Sequence, residues 1–332
     1  MLKSLAIVLL ILSVPLHSQS STQDPSKEAA RAVAEFLEAA KAVKAANIEA
    51  LADRVVALGS LATGPLLKDL SERSPRQLTW ILKILRNLEA KDLRAEILPL
   101  TAHPDGDVRA EALRTALEVR PDLCTEAVIS LAKDKHLEAR KVAYNGFLVV
   151  PADDRFLPLL FDGLRDKDFW CALQAQRGLA MWPEPKKGEL DPIIGGLHRN
   201  IGHLPGTTAL QMIDIVKQRR DSNIDELLIT GMGRGTDEVK VALLEAAIQH
   251  RSKAIVKQAS DHLLLRSAPE LVVASLRYLG SCKYEGSLAT MADLLGSGNK
   301  SIRDAAAVAL RTITGQLFGY DQDKWSRWIS TR

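Results

Sequence analysis

His103-Pro104-Asp105-Gly106-Asp107-Val108-Arg109-Ala110-Glu111-Ala112-Leu113 is the stretch that decides the fold. A polar loop opens it. Behind the loop, apolar residues recur at three- and four-residue steps, the spacing of one helix face. The stretch is then echoed along the chain. Asp107-Val108-Arg109 returns 31 positions later as Glu138-Ala139-Arg140, and Phe169-Trp170-Cys171 falls another 31 on. Asp237-Glu238-Val239-Lys240 and Lys300-Ser301-Ile302-Arg303 keep the beat toward the C-terminus. A fixed period of this length predicts stacked two-helix units. One such pair cannot bury its apolar side alone, and stacking hides Val108, Ala112, Leu113, Ala116 and Leu117 in a continuous core. Asp ahead of the second helix can cap its free N–H groups. Arg109 can reach carboxylates or carbonyls of the adjacent loop and so form a ladder between units.

Working outward, the same pattern divides the whole chain. Residues 1–20 read as a signal peptide: Lys3, then about ten apolar residues from Leu5 to Val14, too few for a spanning helix of ~20 residues. Residues 21–27 are polar and expected to be a disordered leader. Residues 28–59 form an N-terminal helical cap or repeat. Residues 60–315 hold the regular array, and 316–332 an aromatic tail. Trp182-Pro183-Glu184-Pro185-Lys186-Lys187-Gly188 is too rich in Pro and Gly to be helix, so the stretch 182–206 is irregular. Trp170 to Val239 spans 69 positions, slightly more than two periods, which places the extra residues in these loops.

The units resemble the short bacterial HEAT repeat of the PBS-lyase-like kind, in which a Leu-rich helix precedes Asp-x-x-Val-Arg-x-x-Ala-x-x-Ala-Leu. Residues 103–113 match it best, followed by Ser301-Ile302-Arg303-Asp304-Ala305-Ala306-Ala307-Val308-Ala309-Leu310. The resemblance implies an all-α fold: a solenoid of about eight stacked two-helix repeats winding into a curved, right-handed superhelix. Thr314-Gly315-Gln316-Leu317-Phe318-Gly319-Tyr320-Asp321 and Trp325-x-x-Trp328 resemble the tail found after such arrays in exported bacterial proteins. That segment is placed to cover the apolar end of the last unit.

Composition fits this frame. The chain is 46% hydrophobic and 26% charged, with aromatics at 5%, which favours close-packed helices over sheets. The formal charge is +3, or near +2 without Lys3 (3 − 1), so no strong field for nucleic acid or an anionic membrane is implied. Cys124, Cys171 and Cys282 are odd in number and far apart, which indicates no disulfide framework. Buried free thiols are expected, with a Cys124–Cys171 bridge left open in an oxidising compartment.

No catalytic constellation, cofactor site or metal site emerges. Gly231-Met232-Gly233-Arg234-Gly235 lacks the preceding strand and spacing of a dinucleotide fingerprint and reads as an inter-helix loop. His198 and His203 lack a complete set of further ligands. Asp153-Asp154 and Asp105/Asp107 read as helix caps. Lys217-Gln218-Arg219-Arg220 and Lys186-Lys187 are short, are flanked by acids and read as solvated. Polar and aromatic positions on the second helices are expected to line the concave side: Arg114, Tyr144, Gln174, Arg177 and Lys217.

These features favour an exported, periplasmic or extracellular, monomeric and non-enzymatic scaffold that holds a protein or peptide on the concave face, with no nucleic acid partner and no membrane span. One alternative is an enzyme on a HEAT-like scaffold, of the bilin-lyase or alkylpurine DNA-glycosylase type, for which Trp170 and Asp168 are available. The other is an accessory subunit of a larger exported enzyme or membrane complex.

Overall fold

The computed structural model describes residues 24–42, 47–88, 94–186, 189–219, 222–264 and 267–331. The expected signal peptide lies outside them. Every regular element among the described residues is a helix. The chain divides into two compact units, Met1–Ala90 and Lys91–Arg332.

The first unit holds α1 (Pro25–Ala39), α2 (Ile48–Ala57), α3 (Thr63–Leu67) and α4 (Pro75–Asn87). Helix α1 begins inside the stretch expected to be a disordered leader. The Asp24 side chain accepts from the Ser26 N–H, and Pro25 sits in the first turn, where its missing N–H leaves nothing unsatisfied. Its apolar face, from Ala29 through Val33 to Phe36 and Leu37, is buried. Helix α4 opens on a reciprocal capping box between Ser74 and Gln77. The buried Gln77 amide also donates to the Leu37 carbonyl at 2.8 Å, which ties α4 to the end of α1.

The second unit contains seven helix pairs and a tail. The first helices of the pairs are α5 (Arg94–Ile97), α7 (Thr125–Leu131), α9 (Phe156–Gly163), α11 (Pro192–Asn200), α13 (Asp225–Arg234), α15 (Val256–Leu264) and α17 (Leu288–Asp293). The second helices are α6 (Gly106–Val119), α8 (Leu137–Gly146), α10 (Phe169–Ala180), α12 (Gly206–Gln218), α14 (Asp237–Gln249), α16 (Pro269–Ser281) and α18 (Lys300–Thr314). The tail helix is α19 (Gln322–Ser330). Each second helix packs on the next in the series from α6 to α10 and from α12 to α18. In the first unit α1 pairs with α2 and α3 with α4, so each unit by itself is built of helix pairs of the HEAT-type solenoid kind among the described residues.

The N-caps of the second helices fix the true register: Asp105, His136, Asp168, Pro205, Thr236, Ala268 and Asn299. Successive caps stand 31, 32, 37, 31, 32 and 31 residues apart, by subtraction of those numbers. The interval of 37 contains the Pro-rich linker. The first interval of 32 corrects the alignment of Phe169-Trp170-Cys171 on Asp107-Val108-Arg109. Cys171 does not replace an Arg. It stands three residues after its cap, as Val108 and Ala139 do, and all three are buried.

At the irregular middle, buried Arg219 donates to buried Asp191 at 2.5 Å and to the carbonyls of Trp182 and Pro183. The Ser222 hydroxyl adds a bond to Asp191. Arg219 is therefore not a solvated charge but the clamp that holds the linker to α11. Gly231 to Arg234 form the last turn of α13 rather than a loop, which begins at Gly235. Among the described residues, no single helix is long and apolar enough to cross a membrane.

Candidate functional site

Two rows of side chains run across the second helices. The inner row is the ladder foreshadowed by Arg109. Arg109 donates to both carboxylate oxygens of Asp134 in the next loop, at 2.7 Å each, and to the carbonyls of His103 and Pro104 in its own loop. Arg140 repeats this toward Asp166 and the carbonyls of Asp134 and Lys135. Burial pushes the Asp134 carboxyl up, but the Arg109 hydrogen bonds and the His136 N–H outweigh it and hold the group below the usual carboxylate range. Ala172 occupies the equivalent position on α10, so the ladder ends there, where the buried Asp191–Arg219 pair takes over.

The outer row stands nine residues after each cap (105 to 114, and so on): Arg114, Asn145, Arg177, Asp214, Glu245, Arg277 and Val308. The row is exposed except for half-buried Arg114, and three of the five expected residues, Arg114, Arg177 and Lys217, lie on or beside it. Arg114 bonds Glu111 and approaches Glu138 of α8 at 4.0 Å. Arg177 is exposed and meets Gln174 at 3.5 Å. Lys217 bridges Asp214 at 3.2 Å and Glu245 of the next repeat at 2.9 Å. Burial pulls the Lys217 ammonium down, yet those two carboxylates hold it above the usual lysine range.

Tyr144 and Gln174 do not belong to this face. They are 3% and 1% exposed. Tyr144 stands eight residues after its cap, as Leu113 does, and a one-residue offset turns a side chain by about 100° on a helix. Its hydroxyl donates to the Leu159 carbonyl at 3.3 Å, and burial raises its pKa. Gln174 occupies the register of buried Glu111, six residues after the cap.

Residues that sequence reasoning missed line a concavity among the described residues. A groove of about 580 Å³ runs between α16 and α18 over Val273, Arg277, Ala305 and Val308, with Ser301 and Asp304 at its side. It continues toward α14 as a second hollow of about 330 Å³ that adds Val241, Glu245 and Glu270. Arg277 and Val273 line both. Arg277 is exposed and makes no ion pair or side-chain hydrogen bond with any described residue, unlike Lys217, which holds Glu245. Asp304 accepts the Tyr320 hydroxyl at 2.9 Å, which orients it at the rim. Apolar lining with a few convergent polar groups is the usual make-up of a small-molecule site.

The remaining candidates do not line this groove. Asp168 caps α10 by accepting from the Cys171 N–H, and Trp170 is exposed beside it. His198 bonds the Thr230 hydroxyl at 2.9 Å. Among the described residues no group of three or more His, Cys, Asp or Glu side chains could hold a metal ion. Cys124, Cys171 and Cys282 are free thiols.

The fold and the two rows define an all-α solenoid of the HEAT-repeat type. No protein-family profile matches the chain, and no curated protein sequence matches it. Among solved structures it is similar to human deoxyhypusine hydroxylase in complex with glycerol, at 13% identity and a TM-score of 0.32, covering 88% of this chain and 98% of that one. It is also similar to an engineered protein at 16% identity and a TM-score of 0.40, covering 94% and 89% of the two chains. A second engineered protein matches at 15% identity and a TM-score of 0.20, covering 89% and 93%. The leading expectation, a scaffold that holds a protein or peptide, is corrected at this point: a solved structure similar to this chain is that of a hydroxylase. At this identity the likeness extends to the fold alone, and no residue role passes across it.

Proposed function

We propose that this chain is the substrate-holding part of an enzyme built on HEAT-like repeats, and that the groove along α14, α16 and α18 takes a small molecule. Its anionic group meets Arg277, and its apolar part lies on Val273 and Val308. One observation carries this reading: within a row where Lys217 is neutralised by carboxylates, Arg277 is left without a partner among the described residues, in a groove with an apolar floor. A guanidinium offers a planar fork of donors suited to a carboxylate or phosphate.

The test is ligand-detected NMR with a panel of carboxylates and phosphate esters of graded chain length, followed by mass spectrometry for turnover. Binding that strengthens with chain length and is lost in Arg277→Ala is expected. Binding that ignores Arg277→Ala, or no binding across the panel, would sink the reading. We also propose that the repeats are of the short bacterial kind and that Leu5 to Val14 direct export, with cleavage near Ser18 or Ser20. N-terminal sequencing of the protein from its host tests this, and an intact Met1-Leu2-Lys3 terminus on the mature protein would reject it.

A further inference from the structure

The loop edge of the two repeats built on α8 and α10 brings together exposed rings and lysines that nothing in the fold uses. Phe169 and Trp170 open α10 and are 79% and 43% exposed. Leu137, which opens α8 in the same register, is exposed as well. Burying such side chains in the core is the rule, and an exposed cluster of them marks a contact surface. The two helix starts are neighbours. Arg140 donates to the Asp134 carbonyl of one loop at 2.9 Å and to the Asp166 carboxylate of the other at 3.0 Å. Lys141 of α8 lies 3.9 Å from Asp168, the cap of α10.

The charges of this edge are sorted by the ladder. Asp134 is held by Arg109, Asp166 by Arg140, Asp162 by Arg165, and Glu138 by Lys141. Lys133, Lys135 and Lys167 lie in the same two loops, all exposed, and make no ion pair or side-chain hydrogen bond with any described residue. Asp134 and Asp166 are thus drawn inward, the exposed Glu138 and Asp162 are paired with Lys141 and Arg165, and three ammonium groups are left unpaired beside two aromatic rings. Rings with one apolar side, flanked by lysines at the tip of a folded edge, match the chemistry of a bilayer interface: rings enter the headgroup boundary, and lysines meet anionic lipids.

We propose that this edge docks on an anionic lipid surface, with Phe169 and Trp170 entering the interface and Lys133, Lys135 and Lys167 pairing with headgroups. The contact is peripheral and reversible, and it leaves the groove on α14 to α18 free. It does not depend on the proposed ligand of that groove.

The experiment is co-sedimentation of the full chain with vesicles of phosphatidylcholine alone and of phosphatidylcholine mixed with phosphatidylglycerol. Binding to the mixed vesicles only, weakened by salt, is expected. Lys133→Glu/Lys135→Glu/Lys167→Glu should weaken it by on the order of 100-fold or more, at roughly one kcal/mol per lysine near the surface. Phe169→Ser/Trp170→Ser should abolish it while leaving the circular dichroism spectrum and melting midpoint unchanged. Failure of the unmodified protein to bind overturns the proposal. So does binding that persists in both variants. Capture of poly-glutamate through the lysines, with no vesicle binding, would assign the edge to an acidic protein instead.

Discussion

Arg109 serves four acceptors at once, two on Asp134 and two carbonyls of its own loop, and its side chain is largely shielded from water. Removing it leaves a shielded carboxylate unpaired, so Arg109→Ala should destabilise the protein by about 3 kcal/mol. Arg155, whose partners Asp153 and Glu126 lie on the surface, should give no measurable change on the same substitution. Equal midpoints for the two variants in urea would refute a structural ladder. The pH dependence has a definite sign. Asp134 is held below its usual range in the fold, so its contribution is full above the unfolded value of about 4 and is lost as pH falls through the folded one. Asp134→Asn should therefore flatten the loss of stability below about pH 4. Burial pushes the Cys124 thiol up to about 11 and the Cys171 thiol up to about 12. Neither should react with Ellman's reagent near neutral pH until the protein unfolds, and fast labelling of Cys171 in the native state would contradict this. At this scale the sequence was partly legible. The Arg–carboxylate logic followed from Asp-x-x-Val-Arg, but a step of 30 in place of 31 or 32 turned Tyr144 and Gln174 from core to surface.

Helices α6, α10 and α18 were legible because Asp105, Asp168 and Asn299 announce their starts by capping. Helices α12 and α16 begin after Pro205 and Ala268, which make no side-chain cap, so the register that puts Arg277 in line with Arg114 had no polar marker. The groove was hidden for that reason. Helix α11 shows how element packing depends on a single position. A Cβ added at Gly196 would lie 2.0 Å from Cε2 of the Phe161 ring, whereas at Gly195 the nearest heavy atom outside the helix backbone is in the Arg199 guanidinium at 3.7 Å. Gly195→Ala should stabilise by about 0.5–1 kcal/mol through helix propensity alone. Gly196→Ala gains the same propensity but must displace the ring, and a net loss of about 1–2 kcal/mol is expected. Thermal denaturation of the two variants decides between them. The same sign for both would mean that α9 and α11 are not packed ring against backbone.

Across the second unit, charge and stability are both local. A net charge of +3 gave no hint of the lysine edge, because the ladder draws in the carboxylates that would balance it. Stability follows the same nearest-neighbour rule, since a repeat in a stack touches only its neighbours. The last repeat has a neighbour on one side only, and α19 covers the other. Trp325 is 1% exposed, packs edge-on against Phe318 and Trp328, and donates from its indole to the Gly319 carbonyl. Gln322 donates to the carbonyls of Ala292 and Asp293 at the end of α17. Gly315, at φ +75°, ends α18 in the left-handed region and lets the tail turn back. Trp325→Ala therefore removes the far wall of α17, a loss of about 3–5 kcal/mol by the usual cost of a large buried ring. The loss should stay where the wall stood. Hydrogen exchange should quicken in α17 and α18 and less in α16, while amides of α6 and α8 keep their protection. Because Val308 and Asp304 of the groove ride on α18, ligand affinity at Arg277 should fall in this variant although no groove residue has changed. Uniform deprotection from α6 to α18 would instead mean that the stack opens as one block, and the end-cap role of α19 would have to be abandoned.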